Sequence, residues 1–343
     1  MQPLTFALNL KFVGKIDQKG ERGMENSAET GRDGRLLREK KTLGHKLAGF
    51  KRNGFLYLLL APALILTLLF KYVPMYGAVI AFKDFSPIRG IMGSDWIGFK
   101  HFDKFLSSPN FEVIFMNTLK LSFYGLLFGF PVPILLALML NQVRKAGAKK
   151  NIQLFLYAPN FVSVVVIVGM LFIFLSPTGP INQLATQIFG QPLMFMTDPQ
   201  YFRWVYILSD IWATAGWASI IYVAALANVD PELHNAASLD GASLLRRIWH
   251  IDLPTIKPIM AIVFILAAGG IMSIGFEKAY LLQTSMNLPA SEIIATYVYK
   301  VGLQSGDYAY SAAVGLFNSV INVILLLTVN FVVKKLNDNQ GLY

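Results

Sequence analysis

The stretch Asn235-Ala236-Ala237-Ser238-Leu239-Asp240-Gly241-Ala242-Ser243, continued through Trp249 to Leu253-Pro254, is a polar, basic island between two long apolar segments. Ala236, Ala237, Leu239, Ala242, Leu244, Leu245 and Ile248 recur at spacings that put apolar side chains along one face of two short helices, and Asp240-Gly241 interrupts them. Asp240 is placed to cap the second helix through the amide of Ala242 or Ser243, and Gly241 lets the backbone bend there. Periodicity alone fits two structures equally: an amphipathic helix lying on a bilayer, and an element that docks with another protein outside it.

The flanks call for a bilayer. Hydrophobic residues make up 55% of the 343-residue chain and charged residues only 15%, against about a quarter charged in globular proteins. Six apolar windows, 55–73, 118–140, 152–175, 204–227, 259–282 and 309–333, are long enough to cross about 30 Å of hydrocarbon as helices. The expected fold class is all-α, a polytopic integral membrane protein of six transmembrane helices with no internal repeat. The expected organisation is a basic tail (1–53), a helical domain (54–336) containing the loop 229–257, and a short tail (337–343). In the first tail, 35–52 is basic with Leu36, Leu37, Leu43, Leu47 and Phe50 interspersed, which suits a helix held by anionic lipid as well as a solvated tail. It lacks an apolar core followed by a small-residue cleavage site, so it does not read as a signal peptide, and Met24 is an alternative start.

The net charge of +10 needs no nucleic acid to explain it, because the basic residues sort by position. The tail to Arg52 holds 12, the 141–151 turn 4, the loop 229–257 another 3 and the C-terminus 2, so 21 of the 30 fall on one side of the expected membrane. The positive-inside rule makes that side the cytoplasm, with both termini and the 235–254 island in it. No catalytic constellation is present. Cysteine is absent, there is no Gly-x-x-x-x-Gly-Lys-Ser/Thr phosphate loop and no His-Glu-x-x-His, and His45, His101, His234 and His250 are not paired at ligand spacing. No enzyme activity, metal or cofactor is therefore expected of the chain itself.

The island resembles the Glu-Ala-Ala loop of ATP-driven (ABC) importer permeases, whose pattern is Glu-Ala-Ala, three residues, Gly, and Leu-Pro farther on. Ala236, Ala237, Asp240, Gly241, Ala242, Leu253 and Pro254 stand where that family has them, whereas Asn235 replaces the glutamate. The resemblance implies a coupling helix that docks in a groove of an ATPase subunit. An amide at Asn235 keeps a hydrogen bond but loses a charge-assisted one, and Glu232, one turn earlier, is the candidate to supply the charge. A second run, Tyr76-Gly77-Ala78-Val79-Ile80-Ala81-Phe82-Lys83-Asp84-Phe85-Ser86-Pro87 with Trp96-Ile97-Gly98-Phe99-Lys100-His101-Phe102, is similar to the first outer segment of oligosaccharide permeases. Together the likenesses cover nearly all of the chain after about residue 53. They point to a carbohydrate-type permease of the maltose-transporter class, nearest the branch that includes permeases for alginate and pectin fragments. That implies one half of a heterodimeric pathway, with a second permease, two ATPase subunits that bind the ATP, an extracellular solute-binding protein and an oligosaccharide cargo.

Ionisable residues inside spans cost about 2.5–3.5 kcal/mol each at mid-membrane unless they face a partner or water. They are Lys120, Asp210, Glu277 and Lys278. Lys120 and the Glu277-Lys278 pair lie near the outer boundary and are expected to snorkel. Asp210 is deeper and starts a stripe with Thr214 and Trp217 that is expected to line the pathway, with Gly270 and Ser273 across from it and Trp212 packing. For Asp210 an interhelical hydrogen bond is the alternative. Pro131, Pro133, Pro159 and Gly269-Gly270 fall within spans, where the backbone groups freed by a break must find neighbours or water. Three other readings stay open on residues alone: an ion-coupled secondary transporter using Asp210, which usually carries an inverted repeat; a membrane anchor with no pathway; and an importer permease for a non-sugar solute.

Overall fold

The structure, a computed structural model, describes residues 54–336. The basic tail with its 35–52 segment, the choice between Met1 and Met24, and the 337–343 tail lie outside the described residues. The chain divides into two compact units between Leu68 and Leu69. In the first, the described part is helix α1 (Gly54–Thr67), a Leu- and Ala-rich run carrying Pro62.

The second unit enters through a 3-10 segment, Tyr76–Phe82, and a short antiparallel hairpin, β1 (Lys83–Asp84) with β2 (Asp95–Trp96), in which Lys83 pairs with Trp96. The Phe82 and Trp96 rings stack at 5.6 Å and 9°. There follow α2 (Lys100–Leu106), α3 (Phe111–Gly129), α4 (Pro131–Asn141), α5 (Ala146–Tyr157), α6 (Val164–Phe174), α7 (Pro180–Phe189), α8 (Pro199–Ala218) and α9 (Ile220–Leu226). The island supplies α10 (Pro231–Leu239) and α11 (Leu244–Arg247), and the chain ends with α12 (Leu253–Gly269), α13 (Phe276–Leu282), α14 (Ile294–Tyr299) and α15 (Tyr308–Leu336).

Among the described residues, five helical runs are long and apolar enough to cross a membrane: Gly54–Phe82, Phe111–Asn141, Pro199–Leu226, Leu244–Gly269 and Tyr308–Lys335. A sixth candidate is the pair Ala146–Phe161 and Val164–Phe174, bent by 97° at its break. The third expected span, in which Pro159 falls, is therefore sharply broken. A 3-10 turn, Ala158–Phe161, intervenes with Pro159 at its start, where the missing N–H ends the regular hydrogen bonding, and the bend itself falls at Val162 and Ser163, whose backbones are extended with ψ of 131° and 148°. The helix restarts at Ser163, whose Oγ accepts from the Val166 amide at 3.4 Å. Pro131 and Pro133, by contrast, sit in the first turn of α4, where the missing N–H has no partner to lose, and the span passes from α3 to α4.

The fifth span breaks at the Gly269-Gly270 pair, and the break is complete. The window 259–282 is not one helix: α12 stops at Gly269, and 276–282 forms the separate α13. A Cβ at Gly269 would collide with Leu326 Cδ1 of α15, so a glycine there lets the two helices close before the chain turns. At its other end the span begins at Leu244, so the second half of the polar island is the base of a membrane helix and not an independent short one.

Among the described residues, three buried clusters hold helices of the second unit together. One includes Leu121 of α3, Val168 of α6, Ile207 of α8 and Leu282 of α13. Another joins α4, α9 and α12 through Ala137, Tyr222 and Ile256. The third brings Phe105, Ile114, Ile294 and Val314 together from α2, α3, α14 and α15. Lipid tails compete with apolar contacts, so buried polar pairs matter for fixing register. Asn117 Nδ2 donates to the Pro289 carbonyl at 2.8 Å and the Ile294 amide donates to Thr118 Oγ1 at 2.9 Å, locking α3 to the start of α14.

Candidate functional site

Helix α10 is built by its ends. Asp230 caps it, with Oδ1 accepting from the Glu232 amide at 2.9 Å, Pro231 occupies the first turn and Glu232 sits where the helix dipole favours a carboxylate. At the other end the Ala242 amide donates to the Ala237 carbonyl at 2.9 Å and the Gly241 amide to Ser238 at 3.2 Å, with Gly241 at a φ of 76°. This is the Schellman closure, and its left-handed position is one that glycine occupies without a Cβ clash. Asp240 terminates α10 and does not cap the following helix; Ser243 does so, its Oγ accepting from the Arg246 amide at 3.4 Å. Leu253 and Pro254 are the first residues of α12. Glu232, Asn235, Ala236, Asp240 and Gly241 are exposed, and Ala237 and Ala242 are half-buried. Around them Leu239 is 90% exposed, Leu245 76% and Trp249 69%, a cluster of bare apolar side chains of the kind that marks an interaction surface.

Beneath α10 lies a group to which the sequence alone assigned no role. Asp252 is fully buried; His234 Nε2 lies at hydrogen-bond distance, 3.1 Å, from its Oδ1 and Gln142 Nε2, just past α4, donates to its Oδ2 at 3.4 Å. The signal present in the sequence is a carboxylate set between Ile251 and Leu253 at the mouth of an apolar run.

A cavity of about 760 Å³ opens between α3, α4, α8, α9, α12 and the segment leading into α13. Asp210, Thr214, Gly270 and Ser273 all border it, so the structure brings four of the five expected pathway residues together. Trp217 does not border it: its indole packs edge-on against Phe161 at 5.5 Å and 84°. The lining contributed by α8 follows the row Tyr206, Asp210, Thr214, Ala218 and, beside it, Ile207 and Ile211. An i, i+4 row runs obliquely to the helix axis, by about 26°, and Trp217 lies off it while the bend after α5 brings Phe161 over the indole. Trp212 borders a separate apolar cavity of about 590 Å³ with Met170, Phe174, Trp204 and Leu208.

Lys278 overturns the expectation that it snorkels outward. Its side chain is only 8% exposed; Nζ donates to Asp210 Oδ1 at 3.1 Å and to the Tyr206 carbonyl at 2.9 Å, and lies 4.6 Å from the centre of the Tyr206 ring. The cause is the break after Gly269, which sets α13 against α8 instead of continuing the span. Asp210, 51% exposed, turns one side to this ammonium and borders the cavity. Asn322 Nδ2 donates to Ser273 Oγ at 3.0 Å, and Thr214 Oγ1 donates to the Asp210 carbonyl at 2.8 Å, so these two wall hydroxyls are held in fixed orientations.

A broken-helix bundle with a central cavity and a capped helix projecting bare apolar groups defines a membrane transport subunit. Residues 129–338 match the family described as the binding-protein-dependent transport system inner membrane component, and the chain belongs to it. It is 45% identical to the LplB protein of Bacillus subtilis, over 87% of this chain and 93% of that one. It is 46% identical to the polygalacturonan/rhamnogalacturonan transport system permease YteP of the same organism, over 84% and 90%. Among solved structures it is similar, at a TM-score of 0.78 and 38% identity over 85% of this chain and 99% of that one, to a chain of a bacterial ABC transporter involved in import of the acidic polysaccharide alginate. Members of this family are non-catalytic translocation subunits that span the membrane, and so is this chain.

Proposed function

We propose that the chain forms one half of the membrane pathway of an ATP-driven importer for an oligosaccharide. It pairs with a second permease, rests on two ATPase subunits that bind the nucleotide, and receives cargo from a solute-binding protein. No cofactor of its own is required. The observation that carries this reading is the cavity: its volume falls in the range of about 300–1,000 Å³ usual for ligand sites, and it sets Asp210, Thr214 and Ser273 among apolar walls. The names of the relatives point to oligosaccharides, and one solved neighbour is an alginate transporter in complex with an alginate pentasaccharide-bound periplasmic protein.

In this reading α10 and the exposed Leu239, Leu245 and Trp249 are the ATPase-docking surface, with Glu232, Asn235, Ala236, Ala237, Asp240, Gly241 and Ala242 forming its frame and Leu253-Pro254 its root. Closure of the ATPases moves this surface and reorients the spans. Both termini lie in the cytoplasm, in keeping with the distribution of basic residues. The test is uptake into proteoliposomes containing the four-component transporter, using labelled oligogalacturonides, alginate oligosaccharides and arabino-oligosaccharides. Uptake of at least one class that requires ATP and stops with vanadate is expected. Uptake that ignores vanadate and collapses with an ionophore would establish ion coupling instead. Orientation is read from single cysteines in this cysteine-free chain: an impermeant thiol reagent should label intact cells at Ser107→Cys and not at Ala148→Cys.

A further inference from the structure

Helix α10 is weakly anchored for an element that must transmit force. It contains no fully buried residue, and only His234 and Ala237, one turn apart, are even half-buried. Its covalent exit is the single left-handed turn at Gly241, which bends but transmits little torque. The side-chain link to the membrane helices therefore falls on His234 and the carboxylate it reaches.

That carboxylate is set up to bind three elements together. Gln142 Nε2, an amide N–H, donates to one oxygen of Asp252, and His234 Nε2 lies at hydrogen-bond distance from the other. His234 rides on α10, Gln142 succeeds α4 at the end of the second span, and Asp252 itself roots the fifth. Asp252 closes a π turn, Ile248–Asp252, in which the Leu253 amide bonds to the Ile248 carbonyl. Such a turn inserts one residue into the helix, rotating the remainder of the span by about 100°, and π turns recur at functional sites. The charged neighbour on the same strand of helix, Arg247, has its Nε buried without a hydrogen-bond partner among the described residues, so it does not take over either carboxylate oxygen through that atom.

We propose that Asp252, held between His234 and Gln142, is the joint that carries motion of α10 into the second and fifth spans. This rests on the reading of α10 as the ATPase-docking helix. It makes Asp252, His234 and Gln142 positioning residues for transport: they touch neither cargo nor nucleotide, and they make α10, α4 and α12 move as one body. Both bonds end on a fully buried carboxyl group, where losing a partner leaves a polar atom uncompensated, and that suits a linkage that must survive repeated cycling.

The test needs no identified cargo. The complete transporter in nanodiscs carries Ala218→Cys on the cavity wall, and its labelling by a polar thiol reagent is compared with and without ATP and vanadate. In otherwise unaltered protein the nucleotide changes the labelling rate. In His234→Leu and Asp252→Leu that change is expected to shrink at least about fivefold, the scale of a coupling free energy between two sites, while ATP hydrolysis continues. His234→Gln, which keeps an N–H donor, is expected to retain most of it. Should Asp252→Leu fail to assemble, the half-buried His234→Leu and Gln142→Leu decide. An intact nucleotide response in both His234→Leu and Gln142→Leu overturns the joint, as does a response lost only in proportion to ATPase activity. A parallel cross-link from Leu239→Cys to the ATPase separates the two ideas. A cross-link with an intact response in the variants defeats the joint alone, and no cross-link in the unaltered chain defeats the docking reading beneath it.

Discussion

The proposed docking face and the cavity wall are built on opposite plans, although both draw on the chain between α8 and α12. The face comes from one continuous stretch, 231–254; its shape is dictated by a cap, a Schellman turn and a π turn, and it turns Leu239 and Trp249 outward. The wall is assembled from residues as far apart as Leu121 and Lys278, and it places its charged and hydroxyl groups inside. A local structure can expose apolar groups because a partner will cover them. A wall made by distant helices can hold charge because each helix brings the counter-group another needs, as α13 brings Lys278 to Asp210.

Substitutions can break or sharpen that contrast. The largest effect is expected at Gly241→Val. A β-branched residue at a φ of 76° carries strain of about 1–3 kcal/mol, and relieving it undoes the turn that orients the face. Membrane insertion should be normal, with ATPase co-purification and ATP-driven uptake reduced about tenfold or more; unimpaired uptake would remove the turn from the docking surface. Ala237→Arg tests the same face from beneath, since its half-buried position against the protein should pry α10 away.

Next come the two sides of the ion pair. Removing the exposed partner leaves the buried ammonium short of a counter-charge, whereas removing the buried one leaves a carboxylate that can hydrate in the cavity. Asp210→Asn should therefore lower the thermal midpoint of the purified complex more than Lys278→Met. Equal shifts would mean that the pair is solvated from both sides.

Smaller effects distinguish lining from packing on α8. Thr214→Val keeps shape and removes the hydroxyl, so uptake of the identified oligosaccharide should fall with little change in thermal stability. Trp217→Ala should act the other way, losing about 0.5–1.5 kcal/mol of aromatic contact with Phe161 beyond its area burial. A loss of uptake in Trp217→Ala at unchanged stability would return Trp217 to the pathway. The smallest effect is expected at Asn235→Glu, an exposed site away from buried partners, where binding to the ATPase should change within about twofold or improve slightly. A severe loss there would show that the amide itself is read.

What the sequence by itself determined was local in origin. Apolar run length set the chain in a bilayer, Pro159 and Gly269-Gly270 marked where helices break, and Gly241 marked the turn, because hydropathy and backbone freedom belong to single residues and their immediate neighbours. Asp210, Thr214, Gly270 and Ser273 were found as polar or small residues in places where lipid would reject or not require them, and they meet at one cavity. The tertiary structure alone decided that Lys278 turns inward, that Trp217 packs edge-on against Phe161, that the fifth helix begins within the polar island, and that Asp252 is hydrogen-bonded to His234 and Gln142. Each of these depends on the angle at which one helix crosses another and on where a broken span resumes. Such choices are settled by packing and by the pairing of buried polar groups across large sequence separations, to which helical periodicity is blind.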